Sequence, residues 1–577
     1  MRGTVLAGAL TVILALAVGF HLLPESETNG ETIGSLTWEI EDGVLTITGT
    51  GAMQNFSSTS PPWLEYNDSI TSISVGEGVT KIGTNAFANM TNVRSISLPD
   101  SLTLIENNAF KGCTSLESAV IPDNVTSPGR NTFQGCTSLT SVVYGDGAKW
   151  IGQYSFDGCT ALESITIGAS VISLGDYTFR NCTSLAEIDI PEGITSIGQY
   201  CFMGCTALTH VDLPSTLQEM KYGAFSGSGL IEIVIPDSCS EIWRQSFKDC
   251  VSLTYVKYPN TITYVGVGNF MGCTALERID FGSSIVEIRD NAFSGCTSLS
   301  DAWLPESLTT IGANAFKSCS SLTEVILYEN VTSLGNYAFQ NCTSLSELTI
   351  GSNVSTIGTQ AFRNCSKLAT VYNASDLELT AGSTDYGYVA CYASDMIPVE
   401  PRSVSYVDSE TTIATQTVYE SADGISFRIR PADPVSEDYV FMSWTYGGED
   451  VGQNRDTLTI SDSSSPVLTA RWFYIYFDAS AEDQYVVSGT AITFTIIVPN
   501  EGQYTFTVTD GTDGTATVDA DGTVHFIAAS VEIPTEGAVS VTVSNGYTEV
   551  TVVVPVGIDP VLEFKNEPSE GILEVEE

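Results

Sequence analysis

Residues 293–315 read FSGCTSLSDAWLPESLTTIGANA, and residues 316–338 read FKSCSSLTEVILYENVTSLGNYA. These are two copies of one 23-residue unit. Its shared wording is F-x-x-C-x-x-L-x-x-I-x-I-P, a few polar residues, then V-T-x-I-G-x-x-A. The L-x-x-I-x-I stretch alternates as a short strand should. The phenylalanine recurs at Phe87, Phe110, Phe133, Phe156, Phe179, Phe202 and Phe225, then at Phe247 and every 23 residues to Phe362. One interval, Phe225 to Phe247, is 22 residues. A fixed period of this size means one small unit stacked on copies of itself, because no single unit can bury its own apolar face. The expected fold is mostly β, a solenoid of about thirteen turns of 23 residues. One strand per turn would pair in parallel, and the Phe and Cys positions would form interior ladders. At a strand spacing of roughly 4.8 Å the stack would run on the order of 60 Å.

The wording of the unit resembles the BspA-type leucine-rich repeat over residues of about 70–375. The common leucine-rich repeat's internal Asn ladder is missing, and no room is left for a full helix in each turn. The resemblance implies a microbial surface protein that binds a ligand or mediates adhesion, not an enzyme. BspA-type arrays open with a capping segment similar to residues 36–75. There LTWEIEDGVLTITG holds Asp42-Gly43 between two alternating runs, a hairpin signal, and Pro61, Pro62 and Trp63 follow. A solenoid end exposes an unpaired edge and needs such a cap.

Outside the repeats the chain changes character. Residues 1–25 combine Arg2 with an apolar run, the pattern of a secretory signal peptide or an N-terminal membrane anchor. Both place the remainder outside the cytoplasm, secreted or at the cell surface. Capping hairpin 36–75 and solenoid 76–375 are followed by an expected linker at 376–402. Residues 403–473 resemble a Listeria–Bacteroides repeat, a small β-grasp-like module. Phe441, Trp444, Leu468 and Trp472 match that pattern and should be core. Residues 474–557 alternate in short runs about ten residues apart, as in an immunoglobulin-like sandwich. An acidic tail, 558–577, ends the sequence.

Composition narrows the partners. The formal net charge is −47, with 22 Lys and Arg against 69 Asp and Glu. Such a balance repels nucleic acid and anionic lipid. Eleven of the 14 cysteines share the slot three after the Phe, and Met90 takes that slot in the first unit. An apolar stand-in marks a buried position, so free buried thiols are expected rather than disulfides. No CxxC occurs, and thiolates one strand apart do not make a tetrahedral metal site. Glycine stands four before the Phe in nine of thirteen units, but Glu106, Lys221, Trp243 and Arg289 replace it in the others. Those substitutes argue that the position needs close packing rather than positive φ.

Catalysis finds little support. The chain has three histidines, His21, His210 and His525, and neither a phosphate-binding loop nor an H-E-x-x-H motif. Abundant carboxylates leave a carbohydrate-active enzyme as a remote alternative. No cofactor is expected. In each L-x-x-I-x-I strand two residues should point outward. These are bland in the first four units and diversify later. The candidate ligand-binding residues are His210, Asp212, Glu232, Tyr255, Lys257, Arg278, Asp280, Asp301, Trp303 and Glu324. Outward Tyr and Trp beside charges have hot-spot composition. Six of the 22 basic residues fall between 221 and 289, where an even spread gives fewer than three. The plain alternative is a solvated face on a structural envelope component. The expected partner is a protein or glycan on another cell or matrix, and the protein is expected to be monomeric.

Overall fold

The computed structural model describes residues 28–408 and, from 411 to 559, the strands of a second unit. Contacts divide the chain into residues 1–397 and 398–577. The segment 1–25 and the residues after 559 lie outside the described residues.

The first unit is a parallel β-solenoid. All thirteen repeat phenylalanines are fully buried. Neighbouring rings stack nearly parallel at 5.0–5.7 Å between centroids. Trp63 extends the row at its start, stacked on Phe87 at 5.5 Å, with its indole N–H donating to the Ala86 carbonyl at 2.8 Å. The cap thus supplies a fourteenth turn in the same core. Its hairpin pairs Leu36–Glu41 with Val44–Gly49, turning at Asp42 and Gly43, both at positive φ. Val44–Gly49 then pairs in parallel with Ser72–Val75, which hands the sheet to the repeats.

Most turns carry more than the single strand that alternation predicts. The long strand follows the Leu, as in Ser118–Ile121, Ser141–Tyr144 and Ser164–Thr166, paired in register. A second, two-residue strand comes from V-T-x-I, as in Ser173–Leu174, Ser196–Ile197 and Glu219–Met220. The sequence reading missed it because two residues are too few to show a period.

The segment around the Phe forms a third ladder without strand or helix. The N–H groups of Asn108, Phe110 and Gly112 donate to the carbonyls of Arg130, Thr132 and Gln134 in the next turn at 2.7–2.9 Å. Alternate N–H groups face the same way because the residues two before and two after every Phe are left-handed. Asn and Gly dominate these slots, since they tolerate that region best. The glycine four before the Phe never has positive φ, as expected. A Cβ on Gly198 would lie 2.4 Å from the Gly175 carbonyl oxygen, so close approach between turns selects glycine there.

All fourteen cysteines are free, thirteen buried and Cys391 half-buried. The eleven in the repeat slot each donate Sγ–H to the Phe carbonyl one turn back, at 3.0–3.2 Å. Burial alone does not describe the slot, since it also satisfies a carbonyl.

Most of the stretch assigned above to a linker carries structure. Val389, Ala390 and Ala393 join the solenoid core, the Phe362 N–H donates to Gly387 at 2.8 Å, and Asp395–Pro398 adds a strand beside Thr370–Asn373. Residues 376–397 therefore close the open end of the stack.

The second unit begins with a seven-stranded mixed sheet built from Glu400–Asp408 to Val467–Tyr474. Trp444 and Leu468, expected to be core, are fully buried with Val404 and Tyr406. The side chains of Phe441 and Trp472 lie outside the described residues. Two four-stranded sheets follow, containing Tyr476–Phe477, Ala491–Ile497, Thr523–Ala528 and Gly514–Val518 in one and Gln484–Val487, Glu549–Asp559, Thr535–Ser544 and Thr505–Asp510 in the other.

Candidate ligand-binding faces

The long strands place part of the predicted face in one array. Glu232, Tyr255 and Arg278 are register partners on Glu232–Val234, Tyr255–Lys257 and Arg278–Asp280. Asp301 continues that row through a single bridge to Arg278. Val234, Lys257 and Asp280 form the adjoining row. Apolar Ile233, Val256 and Ile279 between the rows are buried, which fixes the outward direction of their neighbours.

Within the array three side chains lock together. The Tyr255 hydroxyl donates to Asp280 Oδ2 at 2.7 Å. Arg278 grips the same carboxylate through Nε at 2.8 Å and Nη2 at 2.6 Å. Its guanidinium lies over the Tyr255 ring, 5.2 Å from the centroid. Bidentate pairing and cation–π contact hold the arginine in a defined plane. All three are half-buried, so the pair adds little to stability and mainly fixes orientation. Chemically, the cluster presents an ordered guanidinium edge and an aromatic ring, the equipment of a recognition hot spot.

Other predicted residues stand apart. His210 and Asp212 are exposed and pair with each other, Nε2 to Oδ1, at 3.1 Å. Their turn and that of Glu187 and Asp189 carry no long strand, although they alternate as their neighbours do. Stacked carboxylates do not explain this, since Glu324 and Glu347 are register partners in a formed ladder. Lys257 is exposed beside the cluster, Trp303 is half-buried one turn beyond it, and Glu324 opens the next sheet at Glu324–Leu327.

A second face went unread in the sequence. Tyr154, Tyr177 and Tyr200 occupy the left-handed slot two before the Phe, at φ 60°, 60° and 53°. Bulky residues in that region carry a backbone cost of about 1–2 kcal/mol each. Their rings stack at 4.5 Å and 5.3 Å. Tyr222 meets Tyr200 edge-on at 4.8 Å. The shift from column to neighbour falls at the 22-residue turn, where Gly223 takes the slot and leaves room for the Tyr200 ring, 2.4 Å from where its Cβ would lie. Arg180 covers Tyr177 at 4.9 Å and binds the buried Asp157 through Nε and Nη2, each at 2.8 Å. That hydrogen bonding, with the carboxylate's charge, raises the Arg180 pKa. Burial, with the neighbouring Tyr222, pushes the Tyr200 hydroxyl up to about 12. The signal for this face was the word Q-Y or D-Y before the Phe in three successive turns, where the other turns have Asn, Gly or Gln and, once, the isolated Tyr337.

Among the described residues no cluster of His, Cys, Asp or Glu is arranged to hold a metal ion, and no helix is long and apolar enough to cross a membrane.

A solenoid of short parallel strands with a Phe and Leu interior and two decorated outer faces is a leucine-rich-repeat scaffold. The sequence pattern of the BspA type leucine rich repeat region matches six copies over residues 64–149, 129–254 and 240–369. These matches together span more than half of the 577 residues, and the chain belongs to that family. No curated protein matches it. Among solved structures it is similar to a leucine-rich repeat protein from Bacteroides ovatus, at 24% identity and a TM-score of 0.45, covering 59% of this chain and 94% of that one. A leucine-rich repeat protein from Eubacterium ventriosum matches at 22% identity and a TM-score of 0.39, covering 55% and 95%. A leucine rich cell surface protein from Faecalibacterium prausnitzii matches at 25% identity and a TM-score of 0.37, covering 64% and 98%.

Proposed function

We propose that this is a non-catalytic, extracellular cell-surface protein that adheres to a protein or glycan on another cell or matrix through the long-strand face. The observation that carries this reading is the Tyr255–Arg278–Asp280 cluster, three side chains locked together on paired strands. A rigid aromatic and a fixed guanidinium lose little entropy on binding, which is the usual economy of hot spots. Glu232, Lys257, Asp301, Trp303 and Glu324 surround the cluster and set its selectivity, with His210 and Asp212 as an outlying pair. In this reading residues 1–25 are a signal or anchor. The Listeria–Bacteroides-like and immunoglobulin-like segments project the solenoid, and the protein works as a monomer.

The test is a screen of the full chain against matrix proteins and glycans, repeated with a Tyr255→Ser/Arg278→Ser variant. At least about a tenfold loss of affinity is expected for any hit on this face. Unchanged binding, or binding retained in full by residues 403–557 alone, would sink the reading.

A further inference from the structure

The Tyr154–Tyr177–Tyr200–Tyr222 strip lies on different columns from the long-strand face and answers to a different chemistry. Nine other turns fill the same left-handed slot with Asn, Gly or Gln, so the fold does not need tyrosine there. Strain kept where a cheaper residue fits points to use. Tyr154 and Tyr177 stack with planes 6° apart, Tyr177 and Tyr200 are tilted by 35°, and Tyr200 meets Tyr222 edge-on, so within the row ring faces are turned largely toward neighbouring rings. Planar amides join them: Gln199 Nε2 donates to the Tyr177 hydroxyl at 2.9 Å, and the Tyr222 hydroxyl donates to Gln245 at 2.6 Å. The strip therefore offers apolar ring edges alternating with groups that both donate and accept.

Charge and pitch select the ligand. Arg180 beside the stacked rings is held by Asp157, Arg244 lies exposed over the Tyr222 ring at 5.7 Å, and the chain as a whole carries −47. One exposed guanidinium against that net charge does not favour an anionic polymer. The rings repeat at 4.5–5.3 Å along the solenoid. An extended peptide advances about 3.3 Å per residue and falls out of step with them. Proline-rich ligands need ring faces with gaps between them, which stacked rings do not give. An extended β-1,4-linked hexose chain advances by roughly one strand spacing per sugar, with alternate sugars turned over, so one sugar meets each turn and the same hydroxyl edge recurs every second turn. We propose that this strip binds a neutral, extended β-linked polysaccharide lying along the solenoid axis, one sugar per turn.

The experiment uses the full chain with cello-, chito-, xylo- and manno-oligosaccharides of increasing length, by calorimetry at low and high salt. The comparison is a Tyr177→Asn/Tyr200→Asn variant, since Asn already serves this slot at Asn131 and Asn314. The variant should fold and melt at or above the parent's temperature. Expected are affinity that rises up to about four sugars, indifference to salt, and a loss of at least about tenfold in the variant. The Tyr255→Ser/Arg278→Ser variant should bind these sugars normally, which separates this site from the long-strand face. No binding of any neutral oligosaccharide at millimolar concentration overturns the proposal. So does equal binding by the Asn variant, or strip-dependent binding of a proline-rich peptide or an anionic polysaccharide instead.

Discussion

The thiol of Cys205 donates to the carbonyl of Phe179, one turn back, at 3.1 Å. Each repeat cysteine thus ties the sulfur row to the phenylalanine row of the previous turn. The same carbonyl also accepts the Cys182 backbone N–H at 3.1 Å, so the thiol supplies its second hydrogen bond.

Replacing Cys205 tests whether the slot asks for a hydrophobe or for a donor. Ser228 already occupies it in the Phe225 turn, buried and beside Cys250 Sγ at 3.4 Å. Cys205→Ala removes the donor and opens a small void, so it should destabilise by about 1–3 kcal/mol. Cys205→Ser keeps a donor and should cost less. Urea titrations of both variants decide the matter, and the opposite order would show that apolar volume alone governs the position.

The sulfur row also sets an alkaline limit. Burial pushes the thiols of Cys159 and Cys205 up to about 12 from an ordinary value of 9.0. Below about 9 both folded and unfolded chains hold these protons, and the contribution to stability is full. Above it the unfolded chain releases them while the folded chain does not, so stability falls as pH rises from about 9 toward 12. Each such thiol contributes up to about 1.4 kcal/mol per pH unit in that window. Melting temperatures in reductant should be flat from pH 7 to 8.5 and fall beyond 9. A Cys159→Ala/Cys205→Ala variant should show a shallower fall, and identical slopes would refute the assignment.

Trp63 closes the Phe row, stacked on Phe87 and bonded to the Ala86 carbonyl. Trp63→Ala should cost about 3–5 kcal/mol locally. Because turns touch only their neighbours, the loss should concentrate at the N-terminal end. Hydrogen exchange should accelerate in residues 36–110 and stay near the parent rate beyond Phe202. Uniform acceleration along the stack would mean that the turns unfold as one unit.

The interior was legible because the Phe, Cys and Leu positions repeat at a fixed interval and each has a single environment. The outer faces were legible only in part. Alternation put Tyr255 and Arg278 outward, and there they are, but it could not say that both converge on Asp280. It gave the turn of His210 and Asp212 the same strand as its neighbours, and none forms there. The tyrosine strip escaped because Tyr154, Tyr177 and Tyr200 each read as an ordinary turn residue, and only stacking makes them a row.

Repetition alone settled that thirteen Phe turns coil around a common apolar centre, because identical units can bury their faces only against each other. What the folded chain decided is which distant residues share a surface. Neighbours on a solenoid are 22 or 23 positions apart, and whether they bond, stack or repel depends on side-chain reach across a gap of one strand spacing. Periodicity sets the size of that gap, and the packing of particular side chains decides what crosses it.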